Sequence, residues 1–279
     1  MSAAMSPLLD PGRPPLIEVA MTAQFEEIKG LTSAHVGALW SRSFRSSLPN
    51  VEEHVPIESV LEVESPALQQ GPIFSLRERP AAPRFFFVNA DGSELVQLQT
   101  SRISYNWRRR GTAYNYLRYE SLKSKLSNAM TQLQSFLDAE KLGPIKINLC
   151  EILYVNHVLY HPGPDAHRHI GRLVKALAPD YDSLAGAPLE DATVNLRHRL
   201  RAPDGRFLGR LLVGVAPAYL VADQTPLYKV QLTARGQPIG EGEEGAHTFF
   251  DLAHQTLRAA FSELFSETIQ EDWMAAHGH

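Results

Sequence analysis

Residues 120–142 place Leu122, Leu126, Met130, Leu133, Phe136 and Leu137 on one side of a helix, the spacing of a long amphipathic helix laid across a sheet. A helix with a single apolar stripe needs an apolar surface of matching length, and this limits the fold more than any other feature of the chain. The flanking sequence supplies that surface. Residues 83–107 read as a strand, a turn at Asn89-Ala90-Asp91-Gly92 and a long strand ending at Trp107. After the helix, 145–160 reads as another long strand, with Ile147, Leu149, Leu153, Val155 and Leu159 sharing one face. Val96, Leu98 and Thr100 have one parity, whereas Ile103, Tyr105 and Trp107 have the other. One continuous strand cannot bury both sets on one face, so a bulge or bend is expected near Ser101.

The remaining segments fit around this unit. Residues 17–25 alternate apolar and polar positions and read as a half-buried antiparallel strand. Thr32 or Ser33 caps a helix carrying Val36, Leu39, Trp40, Phe44 and Leu48, and Pro49 stops it. Residues 55–64 alternate apolar and acidic side chains and read as an edge strand, followed by a loop over 67–83. Residues 193–201 and 206–215 flank Ala202-Pro203-Asp204-Gly205, a hairpin turn like that at Asp91-Gly92. A further strand follows at 228–234. A second long helix over 246–269 would bury Phe249, Phe250, Leu252, Ala253, Leu257, Phe261, Leu264 and Phe265.

The expected class is α+β: antiparallel sheet with two long amphipathic helices packed on one face, and an internal pseudo-repeat of two similar halves. The expected organisation is an irregular lead-in over 1–14, a first half over 15–160, a connecting segment over 161–189 with a short helix at 166–178, and a second half over 190–279. These halves form one compact unit or two intimately packed ones. With 44% hydrophobic and 21% charged residues the chain can bury a sizeable core.

Three short motifs carry a resemblance. Pro14-Pro15-Leu16-Ile17-Glu18-Val19, then Tyr105-Asn106-Trp107 before a helix, and Glu151-Ile152-Leu153-Tyr154-Val155-Asn156 resemble signatures of a sporadically distributed bacterial family of uncharacterised proteins. The helix spanning 250–265 resembles that family's ending. The resemblance implies the fold layout and a bacterial origin, fits an immunity- or antitoxin-like role in genetic conflict, and transfers no catalytic residues.

The chemistry-bearing residues point in two directions. His157, His161, His167 and His169, beside Asp165, form the densest ligand-like cluster, and Glu151 would complete a metal-dependent hydrolase. Pro162-Gly163-Pro164 breaks this stretch into loop, so no metal and no cofactor is expected, with His161, His167 and His169 the alternative ligand set. Glu151 is expected to be paired to an arginine or to cap backbone groups, because a bare buried carboxylate is too costly. Cys150 is the single cysteine, which excludes an intrachain disulfide, fits a reducing cytoplasmic compartment and reads as a packed core residue. No stretch approaches the length of an apolar membrane span.

The basic residues carry the leading reading. Arg197, Arg199 and Arg201 share a strand face, and pairing Arg201 with Arg206 would bring Arg210 beside Arg197. Trp107, Arg108, Arg109, Arg110 and Tyr114 form a second, aromatic and basic cluster. Such mixtures serve protein interfaces and single-stranded nucleic-acid binding by stacking and phosphate neutralisation. A formal net charge of −4 favours a protein partner over nucleic acid. The expected function is a non-catalytic macromolecule-binding protein that uses an arginine-rich sheet face.

Overall fold

The computed structural model describes residues 15–64, 82–111, 116–159, 166–178, 181 and 183–265. Its elements are β1 (Leu16–Phe25), α1 (Ser33–Leu39), β2 (Asn50–His54), β3 (Arg84–Val88), β4 (Glu94–Gln99), β5 (Arg102–Arg108), α2 (Tyr119–Ala139), β6 (Ile147–Val158), α3 (Ile170–Leu173), β7 (Ser183–Leu184), β8 (Ala187–Pro188), β9 (Val194–Arg201), β10 (Phe207–Tyr219), β11 (Pro226–Gly236) and α4 (Gly242–Leu264). The chain is α+β. Nine strands make one antiparallel sheet in the order β2-β3-β4-β5-β1-β6-β11-β10-β9, and β7 pairs with β8 apart from it. Outward from the central β1–β6 pair, β5-β4-β3 on one side mirrors β11-β10-β9 on the other. A long helix follows each of these meanders, so the sheet runs unbroken through both halves of the chain.

The helix-covered face can be traced from one contact. Tyr154 of β6 reaches His254 of α4, and the register carries that face to Leu232 of β11 and Val19 of β1. From there it extends to Trp107 of β5 and Val213 of β10. Leu122, Leu126, Met130, Leu133, Phe136 and Leu137 of α2 are all buried against this face, as are Phe249, Phe250, Ala253 and Leu257 of α4. Leu252 and Phe261 are only half-buried.

Three expectations are corrected. The parity change at Ser101 is neither a bulge nor a bend in one strand. The chain reverses there, and β4 and β5 pair as a hairpin with Gln99 opposite Arg102. In β6 the helix-facing residues are Cys150, Ile152 and Tyr154, of the other parity from the expected set; Leu149 and Val155 are buried on the opposite face. Both faces of a central strand exclude water here, so alternation could not single out the helix side.

The third correction concerns residues 55–64. The edge strand is β2, just upstream, and 55–64 instead crosses the face that carries no helix. Gln99 pairs both of its amide groups with the backbone of Ile57 (3.0 Å each). Gln24 does the same with Val60 (2.8 and 2.9 Å). A side-chain amide presents one donor and one acceptor, as a peptide unit does, so these glutamines replace a strand neighbour for a segment that crosses the sheet. Beyond them, Glu62 meets Arg210 and Arg235, and Glu64 meets Arg201. From β4 to β9 the sheet spans about 29 Å at the usual strand spacing, close to the reach of the extended residues from Ile57 to Glu64. The strap meets β1 at Gln24, and Ala20, Thr22 and Gln24 on this face are all buried, so β1 is covered on both faces rather than half-buried.

Candidate functional site

At the β9 end of the strap-crossed face, strand alternation places Asn195, Arg197, Arg199 and Arg201 on one side of the outermost strand. Arg197 and Arg199 are exposed and make no hydrogen bond or ion pair with any described residue. Beside them lies a shallow depression of about 400 Å³, lined by Asn195, Arg197, Lys229, Gln231 and Thr233, with Gly214 in its floor. A β-carbon on Gly214 would stand 3.7 Å from Asn195 Oδ1, so the glycine deepens the depression at that point.

The positive charge continues inward. Lys229 pairs in register with His157 of β6. His157 lines an adjoining pocket of about 280 Å³ with Arg108, Arg109 and Arg110. Burial pushes the His157 imidazole below its ordinary value, and the Arg109 and Lys229 cations push it further the same way. Arg108 is tied to Glu18 at 3.2 Å, and Arg110 donates to the Gly92 carbonyl at 3.1 Å. The whole arrangement suits a carboxylate- or phosphate-bearing surface that approaches β9 and reads cations and amides together.

The comparisons with known proteins come out empty. No family model matches the chain, nor does any curated protein or solved structure.

The expected arginine patch is only partly a surface. Arg210 is 7% exposed and donates to Glu62, whose side chain is fully buried. A cation beneath a crossing strap is a structural ion-pair partner, so Arg210 is not part of the exposed face. Nor does it lie beside Arg197. The ladder shifts at Leu208, between Phe207 and Gly209, so Arg210 stands opposite Arg199. Arg201 is paired with Glu64 and donates to the Gly205 carbonyl at 2.7 Å, and Arg206 sits in the exposed turn 4.0 Å from Asp204.

The aromatic half of the second cluster is also corrected. Trp107 is 1% exposed and meets Tyr116 edge-on in the helix-side core, with centroids 5.1 Å apart. Arg108 follows it in the strand and therefore points to the opposite face, so the two cannot form one stacking platform. Tyr105 is buried as well, with its hydroxyl 2.5 Å from Glu94. Tyr114 lies outside the described residues.

His157 and His167 do not converge. His167 is buried with Nε2 2.9 Å from the Leu227 carbonyl, whereas His157 lines the pocket on the strap-crossed face. His161 and Asp165 lie outside the described residues. Among the described residues, no three His, Cys, Asp or Glu side chains stand close enough to share a metal ion. Glu151 has the expected arginine, with Arg235 Nη1 at 3.8 Å. Burial raises its carboxyl above the ordinary range, and Arg235 and Arg102 partly oppose that. Cys150 is a buried free thiol whose pKa burial pushes up. No described helix is long and apolar enough to cross a membrane.

Sequence reasoning missed Lys229, Gln231 and Glu62. Lys229 and Gln231 share a face with Arg197 only because β9, β10 and β11 pair in this register. The acidic alternation of 55–64 was visible, but nothing local said which cations it would meet.

Proposed function

We propose that this protein is a non-catalytic binding module that recognises an acidic surface on a protein partner through Arg197, Arg199 and Lys229. One observation carries the reading. Arg201 on the same face is paired with Glu64 of the strap, and Arg210 and Arg235 share Glu62, whereas Arg197 and Arg199 stand exposed with no acid paired to them among the described residues. Like charges held on neighbouring strand positions repel, and an anionic partner relieves that repulsion. A role as an immunity- or antitoxin-like subunit would use this surface, and a reducing compartment would suit the lone thiol.

The test compares parent with the Arg197→Ala/Arg199→Ala double variant in affinity capture from cells that make the protein. Both side chains are exposed, so folding should stay within about 1 kcal/mol of the parent. The captured protein should be lost in the double variant, and the parent complex should weaken as salt rises. Capture that is unchanged in the variant refutes the proposal. Retention of a single-stranded nucleic acid with a steep salt dependence would replace the protein partner with a nucleic-acid one.

A further inference from the structure

A separate group of side chains converges on the helix-covered side, where α2 begins. The Tyr154 hydroxyl lies 2.6 Å from His254 Nδ1, and Tyr116 lines the same cavity. The His254 ring stacks on Tyr119, with centroids 4.0 Å apart and planes within 1°. Tyr119 is itself pinned: its hydroxyl donates to Asp251 Oδ1 at 2.6 Å, and Lys123 Nζ donates to the same oxygen at 2.7 Å. These rings, with Leu16, Arg118, Glu120 and Arg258, line an open cavity of about 390 Å³.

We propose that this cavity binds a small organic oxyanion, held by the guanidinium groups of Arg118 and Arg258 against the wall of tyrosine and histidine rings. A tie between α2 and α4 needs only the Tyr154–His254 and Tyr119–Asp251–Lys123 contacts. It needs neither the empty volume nor two arginines at its rim. Arg118 and Arg258 are exposed and make no ion pair with a described residue, and Glu120 at the same rim lies 3.5 Å from Lys123. Arg258 is close enough to act electrostatically on Tyr116, Tyr154 and His254. Guanidinium forks match the geometry of carboxylates and phosphates, and Leu16 with the aromatic rings takes the apolar remainder of a ligand. The rings are held by a second layer of hydrogen bonds, so little ordering remains to be done on binding. This site is independent of the β9 surface and does not require the protein-partner reading.

The experiment titrates the full chain with benzoate and, separately, with inorganic phosphate, following calorimetric heat and the ring-proton NMR signals of His254. Saturable binding of either anion supports the site, and the anion preferred separates a carboxylate ligand from a phosphate one. Arg258→Gln and Arg118→Gln should each weaken binding about tenfold or more, while Lys146→Gln, an equal charge change at a distant exposed position, should not. The groups facing His254 are Arg258, Lys123, Glu120 and Asp251, with Tyr119 and Tyr154 against its ring. A bound anion favours imidazolium, so His254 should titrate at higher pH in its presence, a response that a purely structural role would not give. If neither anion saturates, or if binding survives both arginine changes, the proposal is overturned.

Discussion

Arg210 of β10 donates through Nη1 to a carboxylate oxygen of Glu62, a residue 148 positions earlier in the chain, and both side chains are almost wholly removed from solvent. The other carboxylate oxygen of Glu62 takes Arg235 of β11, and Arg210 Nη2 also donates to the Val63 carbonyl at 2.7 Å. One acid thus fastens the strap to two strands at once. The strap in turn covers the polar face of β1, so this contact joins the first half of the chain to the second on the side that has no helix.

Removing that acid should therefore be expensive. Glu62→Gln leaves two cations facing a neutral amide in a buried site, and breaking a buried pair on one side costs about 3–5 kcal/mol. The loss should appear as a lower midpoint in urea unfolding. Glu62→Leu combined with Arg210→Met should recover only part of it, because the apolar pair carries no desolvation cost while Arg235 keeps only Glu151, at 3.8 Å, as a carboxylate partner. A Glu62→Gln loss under about 1 kcal/mol would show that the strap is not held by this contact.

The α4 core should separate two phenylalanines. Phe249 is completely buried, so Phe249→Ala should cost about 3–5 kcal/mol. Phe261 is half-buried at the far end of the helix and meets Phe265 edge-on at 5.0 Å, so Phe261→Ala should cost less than half as much. Equal losses in denaturant unfolding would contradict the packing of α4 on β6 and β11.

Gly236 and Gly209 stand directly opposite each other on β11 and β10. A β-carbon at Gly236 would lie 2.1 Å from the Leu208 carbonyl oxygen and 2.6 Å from Phe249 Cε2. Backbone oxygen cannot move aside, so Gly236→Ala should cost at least about 1–3 kcal/mol through overpacking. Gly143→Ala would meet nothing within 4 Å, but at φ +91 it would add backbone strain rather than a clash. The two variants should therefore differ in the near-UV circular dichroism of the α4 aromatic cluster, with only Gly236→Ala disturbing it.

Acid should weaken the fold through two histidines. Burial first, then neighbouring cations, lowers the pKa of both His157 and His254 below the ordinary 6.5. For each, the unfolded chain binds the proton more tightly, so stability rises with pH across the window between the lowered value and 6.5 and is fully present above it. Thermal midpoints should fall as pH drops below about 6.5. His254→Asn should flatten part of that fall, while a variant as steep as the parent would show that His254 is not held neutral in the fold.

Local pattern by itself determined much of this protein. The 3.6-residue stripe of α2 and the Phe249–Leu257 stripe of α4 each had one apolar side, and one side is all a helix needs to be read. The hairpin turns at Asp91-Gly92 and Asp204-Gly205 were equally local, as was the placement of Arg197 and Arg199 on one face of β9.

Tertiary structure decided whatever depended on which strand lies beside which. The helix side of β6 could not be read because both of its faces are covered. Residues 55–64 alternate as a strand would, yet Gln24 and Gln99 take the place of a strand neighbour and turn the segment across the sheet. Arg210 looked like Arg199 in sequence, and only the arrival of Glu62 from the other half of the chain makes one a buried structural cation and leaves the other on the surface. Burial of a charge is set by its long-range partners, and periodicity along one strand carries no information about them.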